Sequence, residues 1–203
     1  SLFVLGEATI RTSNRSGGGG MATLERFDCL EDMAPALTRD VVAVAHGSYI
    51  LELARELWPE AQPDPTCFHL VWDALRALAA GDPSPALLRC FELRLLETVG
   101  LAPSLVRCVG CGRVPDQEER VTFNIPRGGI VCARCKGQGK ILDPGVRRHM
   151  TALARAPLDR ARSLESGGGN ARLVRDTMVS LVRHHLGKPL KSLQFILELG
   201  KGS

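Results

Sequence analysis

Aromatic side chains are scarce: six Phe, two Trp and one Tyr make up 4 % of 203 residues. So few rings argue against barrels girdled by aromatics and against base-stacking platforms built from several rings. Long apolar runs are missing as well. No stretch approaches the ~18–20 residues of a membrane span, so no membrane partner is expected. Residues 1–10 are apolar, but no Lys or Arg precedes them and no small-residue cleavage site follows, so they do not read as a signal peptide. Seven cysteines are an odd number and too few for a disulfide scaffold, which points to a reduced, cytoplasmic protein.

Enzyme signatures are also lacking. There is no H-E-x-x-H, no H-x-E with P-C-x-x-C, and no G-x-S-x-G. Gly187-Lys188 runs into Pro189 and lacks the upstream glycine of a phosphate-binding loop. His184-His185 sits at a basic helix end, where a dipole contact is the plainer reading. His46 and His69 lie beside apolar residues and read as core-edge histidines. No catalytic residue is assigned, and the expectation is a protein that is not an enzyme.

What the sequence does have is a lopsided charge. The net value is +4, but residues 1–100 hold 8 Lys/Arg against 14 Asp/Glu, and residues 101–203 hold 18 against 8. A basic second half suggests a polyanionic partner, most often nucleic acid; the alternative is a solvated basic surface.

Helix signals dominate the chain. Residues 1–12 alternate in part and fit one or two strands, and 14–20 holds a glycine-rich loop or linker. Residues 37–58 carry apolar side chains at mixed three- and four-residue spacing, and Pro59 ends that helix. Asp64-Pro65 is an N-cap with an N1 proline, opening a helix with Phe68, Val71, Trp72, Leu75 and Leu78 on its inner face and Gly81 as its stop. Ser84-Pro85 repeats the start for a helix carrying Leu88, Phe91, Leu95 and Val99. Asp143-Pro144 opens another with Val146, Met150 and Leu153 inward. Asn170 is a cap for a helix running to Gly187, and a short last helix holds Leu190, Leu193, Ile196 and Leu197.

An irregular insert interrupts this pattern. Cys108-Val109-Gly110-Cys111 and Cys132-Ala133-Arg134-Cys135 are two C-x2-C knuckles. Such turns fold two thiolates onto one ion, and four thiolates make a closed, structural zinc site. Gly112 suits the tight turn, which needs a positive φ. Val121, Phe123 and Ile125 alternate between the knuckles, and Gly128-Gly129 can turn the chain back through Ile130-Val131. The pattern is that of a zinc ribbon with one structural Zn2+. The alternative, cysteine as a small buried hydrophobe, suits Cys29, Cys67 and Cys90. The fold class read from these signals is mainly α: a helical bundle with an inserted four-cysteine zinc ribbon.

Several segments together carry a resemblance: Ala45-His46-Gly47-Ser48-Tyr49-Ile50-Leu51-Glu52-Leu53, then Leu88-Arg89-Cys90-Phe91-Glu92-Leu93-Arg94-Leu95-Leu96, then Gly100-Leu101-Ala102-Pro103 leading into Arg107-Cys108-Val109-Gly110-Cys111-Gly112-Arg113, and finally Leu186-Gly187-Lys188-Pro189-Leu190-Lys191-Ser192-Leu193. In this order they resemble the bacterial recombination mediator RecO over roughly residues 21–198. The resemblance implies an N-terminal OB barrel of which residues 1–20 would be a short remnant, partial strands plus a Gly-rich linker. Residues 21–203 would be the helical domain, with the ribbon at about 105–142. Arg11 and Arg15 would be remnants of the barrel's surface.

The resemblance also implies a function in DNA repair and homologous recombination, as a mediator of the RecFOR pathway in the bacterial cytoplasm at the nucleoid. Such a protein binds single- and double-stranded DNA, anneals strands and loads the recombinase onto DNA coated by the single-stranded-DNA-binding protein. Its partners would be RecR and the acidic C-terminal tail of that coating protein. Candidate phosphate-binding cations are Arg127, Arg134, Lys136 and Lys140 on the ribbon, and Arg147, Arg148, Arg172, Arg175, Arg183, Lys188 and Lys191 beyond it. For the tail, the helix at 85–99 offers Arg89 and Arg94 beside Phe91 and Leu95. A second class of function is a zinc-ribbon module for protein interaction or transcription, without annealing.

Overall fold

The computed structural model describes residues 2–12, 22–58, 63–81 and 83–200. The glycine-rich segment at 14–20, Arg15 and Pro59 lie outside them. The chain opens with an antiparallel hairpin of β1 (Val4–Thr12) and β2 (Ala22–Asp32). Strand β2 falls where the sequence reading expected the helical domain to have begun. Its alternation is masked by two register shifts, between Leu5/Gly6 and Thr9/Ile10. Each bulge adds an unpaired residue and bends the ribbon.

Seven helices follow among the described residues, and local chemistry sets most of their ends. After the single turn α1 (Ala34–Leu37), α2 (Val41–Leu57) starts at Asp40, whose carboxylate accepts from Val42 N at 2.8 Å. It stops at Trp58, which is extended at φ −83°, ψ 127°, as a residue before proline prefers. Helix α3 (Pro65–Ala80) is capped by Asp64, which accepts from Thr66 N and Cys67 N. Helix α4 (Pro85–Thr98) is capped by Ser84. Helices α5 (Pro144–Arg155), α6 (Gly168–Leu186) and α7 (Lys191–Leu199) complete the body. Gly187 ends α6 at φ +67°, the left-handed conformation that glycine adopts without strain. Asn170 is not the cap of α6: the helix starts two residues earlier, and Asn170 lies in its first turn.

Other caps come from far along the chain. Glu165, directly after the 3-10 turn Leu158–Leu164, accepts from Ser84 Oγ at 2.9 Å and Ala86 N at 3.4 Å, closing the start of α4. Glu52 accepts from Lys191 N at 3.1 Å and from Ser192 N at 2.8 Å, closing α7 from 139 residues away.

Helix α4 is the axis of the body. Ten of its residues are buried against α2, α3, α5, α6 and the 3-10 turn. Between α2 and α4 lies a sealed polar group. Tyr49 Oη donates to Glu92 Oε1 at 2.5 Å, and Arg89 Nη2 pairs with the same oxygen at 2.7 Å. His46 stands within the field of Arg89, and burial together with that cation lowers its pKa to about 4. His46 is therefore a core residue rather than a core-edge one.

The hairpin is anchored at its base. Phe3 is buried against Gly47, where an added Cβ would come within 2.6 Å of the ring, so this helical glycine exists to admit Phe3. Trp72 Nε1 donates to Glu31 at 2.7 Å, and Arg76 pairs with Glu31 at 3.4 Å. His69 stacks on Trp72 at 5.8 Å, while Arg76 lies over the ring at 5.6 Å. Phe68, read as inward, is exposed, as is His69, because α3 is covered only on one side.

Candidate metal centre and basic surface

The insert folds as a three-stranded antiparallel sheet, order β4-β3-β5, from β3 (Val121–Asn124), β4 (Gly129–Val131) and β5 (Lys140–Leu142). The β3–β4 turn is tied by Asn124 Oδ1, which accepts from Arg127 N at 2.9 Å, and passes through Gly128 at φ +63°. Strand β5 was not anticipated; three residues are too few to show a period. Val121, Phe123, Ile130 and Leu142 face the helices and belong to the main core, so the ribbon is fused to the body. Cys108, Val131 and Cys132 form a separate small core on the knuckle side.

The knuckles meet as the spacing requires. All four Sγ atoms of Cys108, Cys111, Cys132 and Cys135 lie within 4.8 Å of one another, and Cys111 Sγ is 3.8 Å from Cys132 Sγ. A tetrahedron with ~2.3 Å metal–sulfur arms has edges of about 3.8 Å. Four thiol donors at that spacing fit a tetrahedral, coordinatively closed ion. Gly112 follows Cys111 at φ +73°, and its N–H closes the first knuckle onto Cys108 O at 2.8 Å.

Backbone amides prepare the sulfurs. Burial pushes the Cys108 thiol up, but the N–H groups of Cys132 and Gly110, both 3.3 Å from its Sγ, outweigh this and bring its pKa to about 6. Cys135 moves the other way, pushed up to about 12 by its hydrogen bonds with Cys111, Cys132 and Cys108. Four thiols packed this closely cannot all ionise against one another, so a divalent cation is what lets all of them serve as thiolates.

Outside the sulfurs, Glu119 joins the two knuckles. Arg113 Nη2 donates to both of its oxygens at 2.7 Å, and Ala133 N donates to Oε1 at 3.1 Å. Glu119 carries no motif of its own, so nothing in the linear sequence marks it. Cys67 and Cys90 are buried small hydrophobes as read, whereas Cys29 is exposed on β2.

The candidate cations divide into three groups. Lys140 and Arg147 turn inward. Lys140 Nζ donates to Ser180 Oγ at 3.0 Å and to Asp176 O, stapling β5 to α6, and burial lowers its pKa. Arg147 holds Asp116 O at 2.5 Å and Gln117 O at 3.0 Å, pinning the ribbon's loop to α5. Arg148, Arg175 and Lys188 are exposed but paired, with Glu118, Asp176 and Glu56. Arg172 stands 4.0 Å from Asp176. Arg127, Arg134, Lys136, Arg183 and Lys191 are exposed and make no ion pair among the described residues. The ribbon cations of this last group are set by the knuckles. Arg127 Nη2 donates to Val109 O at 2.8 Å, Arg134 sits inside the second knuckle, and Lys136 follows it at φ +48°.

The expected partner-tail pocket on α4 is not there. Phe91 and Leu95 are fully buried, and Arg89 is committed to Glu92. Helical spacing marked one apolar face, but α4 is packed around most of its circumference, with only Pro85, Arg94, Glu97 and Thr98 outside the core. Arg94 alone reaches a surface depression of about 420 Å3, shared with Arg76, Ala77, Ala80, Pro157 and Leu158 and flanked by Asp73 and Asp159.

Among the described helices none is long and apolar enough to cross a membrane. A family model described as the C-terminal part of recombination protein O matches residues 38–194. The chain is 38 % identical over 176 residues to the DNA repair protein RecO of Anaeromyxobacter sp. (strain K), covering 81 % of this chain and 66 % of that protein. It is 33 % identical over 193 residues to the DNA repair protein RecO of Desulforudis audaxviator, covering 92 % and 74 %. The protein of that name in Listeria monocytogenes serotype 4a is 25 % identical over 188 residues. The chain thus spans about two thirds of the length of the first relatives it matches.

Proposed function

The chain belongs to the RecO family of DNA repair proteins, and from that premise we propose that it is a recombination mediator that binds single- and double-stranded DNA, promotes annealing and, with RecR, loads the recombinase onto coated DNA. One observation carries the DNA contact: Arg127, Arg134 and Lys136 are exposed, make no ion pair among the described residues, and are held in place by the knuckles. Cations on a fixed scaffold neutralise phosphates without reading sequence. Neutralising two backbones at once lowers their mutual repulsion, which is a physical route to annealing.

The metal is zinc in this reading, since four thiolates at tetrahedral spacing suit it and leave no open position for chemistry. The mediator acts without transforming a substrate. In support, the buried titratable group Tyr49–Glu92–Arg89–His46 is sealed in the core. For the acidic, apolar-ended tail of the coating protein the contact is Arg94, which makes no ion pair among the described residues and opens onto Ala77, Ala80 and Leu158; Arg76 beside it is paired with Glu31, and Asp73 and Asp159 share the rim. The hairpin is a piece of OB-barrel wall. Its register puts Val4, Ala8 and Ile10 with Leu24, Phe27 and Cys29 on one face, and Glu7, Thr9 and Arg11 with Arg26 and Asp28 on the other. A one-sided apolar face with two bulges is what a curling barrel wall requires.

The test is a titration of single-stranded DNA at several salt concentrations. Affinity falls with salt, and the double variant Arg134→Ala, Lys136→Ala lowers the log–log slope by about 1.4, at ~0.7 per phosphate contact. Absence of binding at low salt would sink the mediator reading and leave the ribbon as a protein-interaction module.

A further inference from the structure

The four thiols of the centre are not equally accessible. Cys111 is exposed, Cys135 is half-buried, and Cys108 and Cys132 are buried. Across the two knuckles, Cys111 Sγ faces Cys132 Sγ at 3.8 Å. We propose that Cys111 is an oxidation site for hydroperoxides, with Cys132 as the thiol that resolves it into a disulfide linking the knuckles. The Cys111 thiolate attacks the outer oxygen of the hydroperoxide, the O–O bond breaks, and Cys111 becomes a sulfenic acid while an alcohol or water leaves. The Cys132 thiolate then attacks that sulfur and expels hydroxide, which takes a proton to become water. Two thiolates lose two electrons, the peroxide gains them, and the ion loses two of its four ligands.

Cys132 is the resolving partner because of its position. It lies 3.8 Å from the exposed sulfur on the facing knuckle, whereas Cys108 Sγ is held inward by the N–H groups of Gly110 and Cys132 at 3.3 Å; Cys135, also in contact with Cys111, is the competing thiol that the disulfide map distinguishes. An S–S bond of ~2.05 Å must draw the two sulfurs together by about 1.8 Å. Cys132 is covalently next to Ala133, whose N–H rests on Glu119 at 3.1 Å. Closing the disulfide pulls the second knuckle off this carboxylate and displaces Arg134 and Lys136 with it. Oxidation therefore releases the metal and, if the ribbon carries the DNA contact proposed above, weakens DNA binding.

The experiment treats the zinc-loaded full chain with hydrogen peroxide. It follows metal release with a colorimetric chelator, maps disulfides by peptide mass spectrometry after alkylation, and titrates single-stranded DNA before and after. The expected result is one ion released per Cys111–Cys132 disulfide, reversed by a dithiol and added zinc. Cys111→His, which keeps a metal-binding nitrogen but no oxidisable sulfur, slows release about tenfold or more. The map of the unmutated chain decides the matter even if that variant binds zinc poorly. A Cys111–Cys135 bridge, a Cys108–Cys111 bridge, a bridge through Cys29, or oxidised Cys111 with the metal retained overturns the proposal. A Cys111–Cys132 bridge with metal release but unchanged DNA affinity upholds the oxidation site and refutes the ribbon as the DNA contact.

Discussion

Replacing Arg89 by methionine removes the cation from a sealed carboxylate. Glu92 is fully buried, its Oε1 is shared by Arg89 at 2.7 Å and Tyr49 at 2.5 Å, and its Oε2 has no partner among the described residues. Breaking such a pair from one side costs about 3–5 kcal/mol, because the remaining charge is left uncompensated. At ~2–4 °C per kcal/mol for a chain of this size, Tm falls by roughly 6–20 °C. The double variant Arg89→Met, Glu92→Leu recovers most of the loss, since replacing both partners by apolar groups is often close to neutral.

The pH dependence has a defined sign. Burial raises the Glu92 carboxyl, against the pull of Arg89 and Tyr49, and losing Arg89 raises it further. The folded state then holds that proton more tightly than the unfolded state. The deficit of Arg89→Met is therefore largest at neutral pH and shrinks as pH falls through the folded pKa. His46 works in the opposite sense in the unmutated protein. Its folded pKa lies at about 4 rather than 6.5, so stability falls as pH drops from 6.5 to 4, by an amount on the order of 3 kcal/mol. Arg89→Met relieves this, because the guanidinium is part of what lowers His46. Urea midpoints at pH 8, 6 and 5 for the single and double variants read all of it. A single variant within about 0.5 kcal/mol of the parent, or a double variant no better than the single, would refute the reasoning.

Gly47→Ala should destabilise the protein in thermal melts, although helix propensity alone assigns it a gain of ~1 kcal/mol, because the new Cβ meets the Phe3 ring at 2.6 Å. Glu119→Gln should weaken zinc affinity by roughly 10–100-fold in a competition titration while leaving helical circular dichroism unchanged, since it loosens both knuckles without removing a ligand. Lys136→Gly should stabilise the ribbon by about 1 kcal/mol in hydrogen exchange, because the residue sits at φ +48°, yet lower DNA affinity; Lys136→Ala should lower affinity without that gain.

Helix starts and the four-cysteine cluster were legible because their chemistry is local. Asp64-Pro65 and Ser84-Pro85 cap the turns that follow them, and each C-x2-C folds on itself. The three-strand sheet was half legible, since β3 shows its alternation over four residues and β5 is too short to show any. The DNA candidates were legible as charges but not as surfaces. Lys140 and Arg147 have the same composition signal as Arg134, yet they grip backbone carbonyls of other elements.

The family motifs divide along the same line. Their presence and order identified the kind of chain, but not what each residue does. Glu52 of the second-helix motif closes α7, Gly47 admits Phe3, and Glu92 of F-E-L-R-L-L is locked to Tyr49. Capping, turn geometry and thiolate spacing act over a few residues, so a linear pattern contains them. Which face of α4 remains open, which cation meets a carboxylate and which sulfur is exposed depend on segments up to 140 residues apart, and these acquire neighbours only when the core closes.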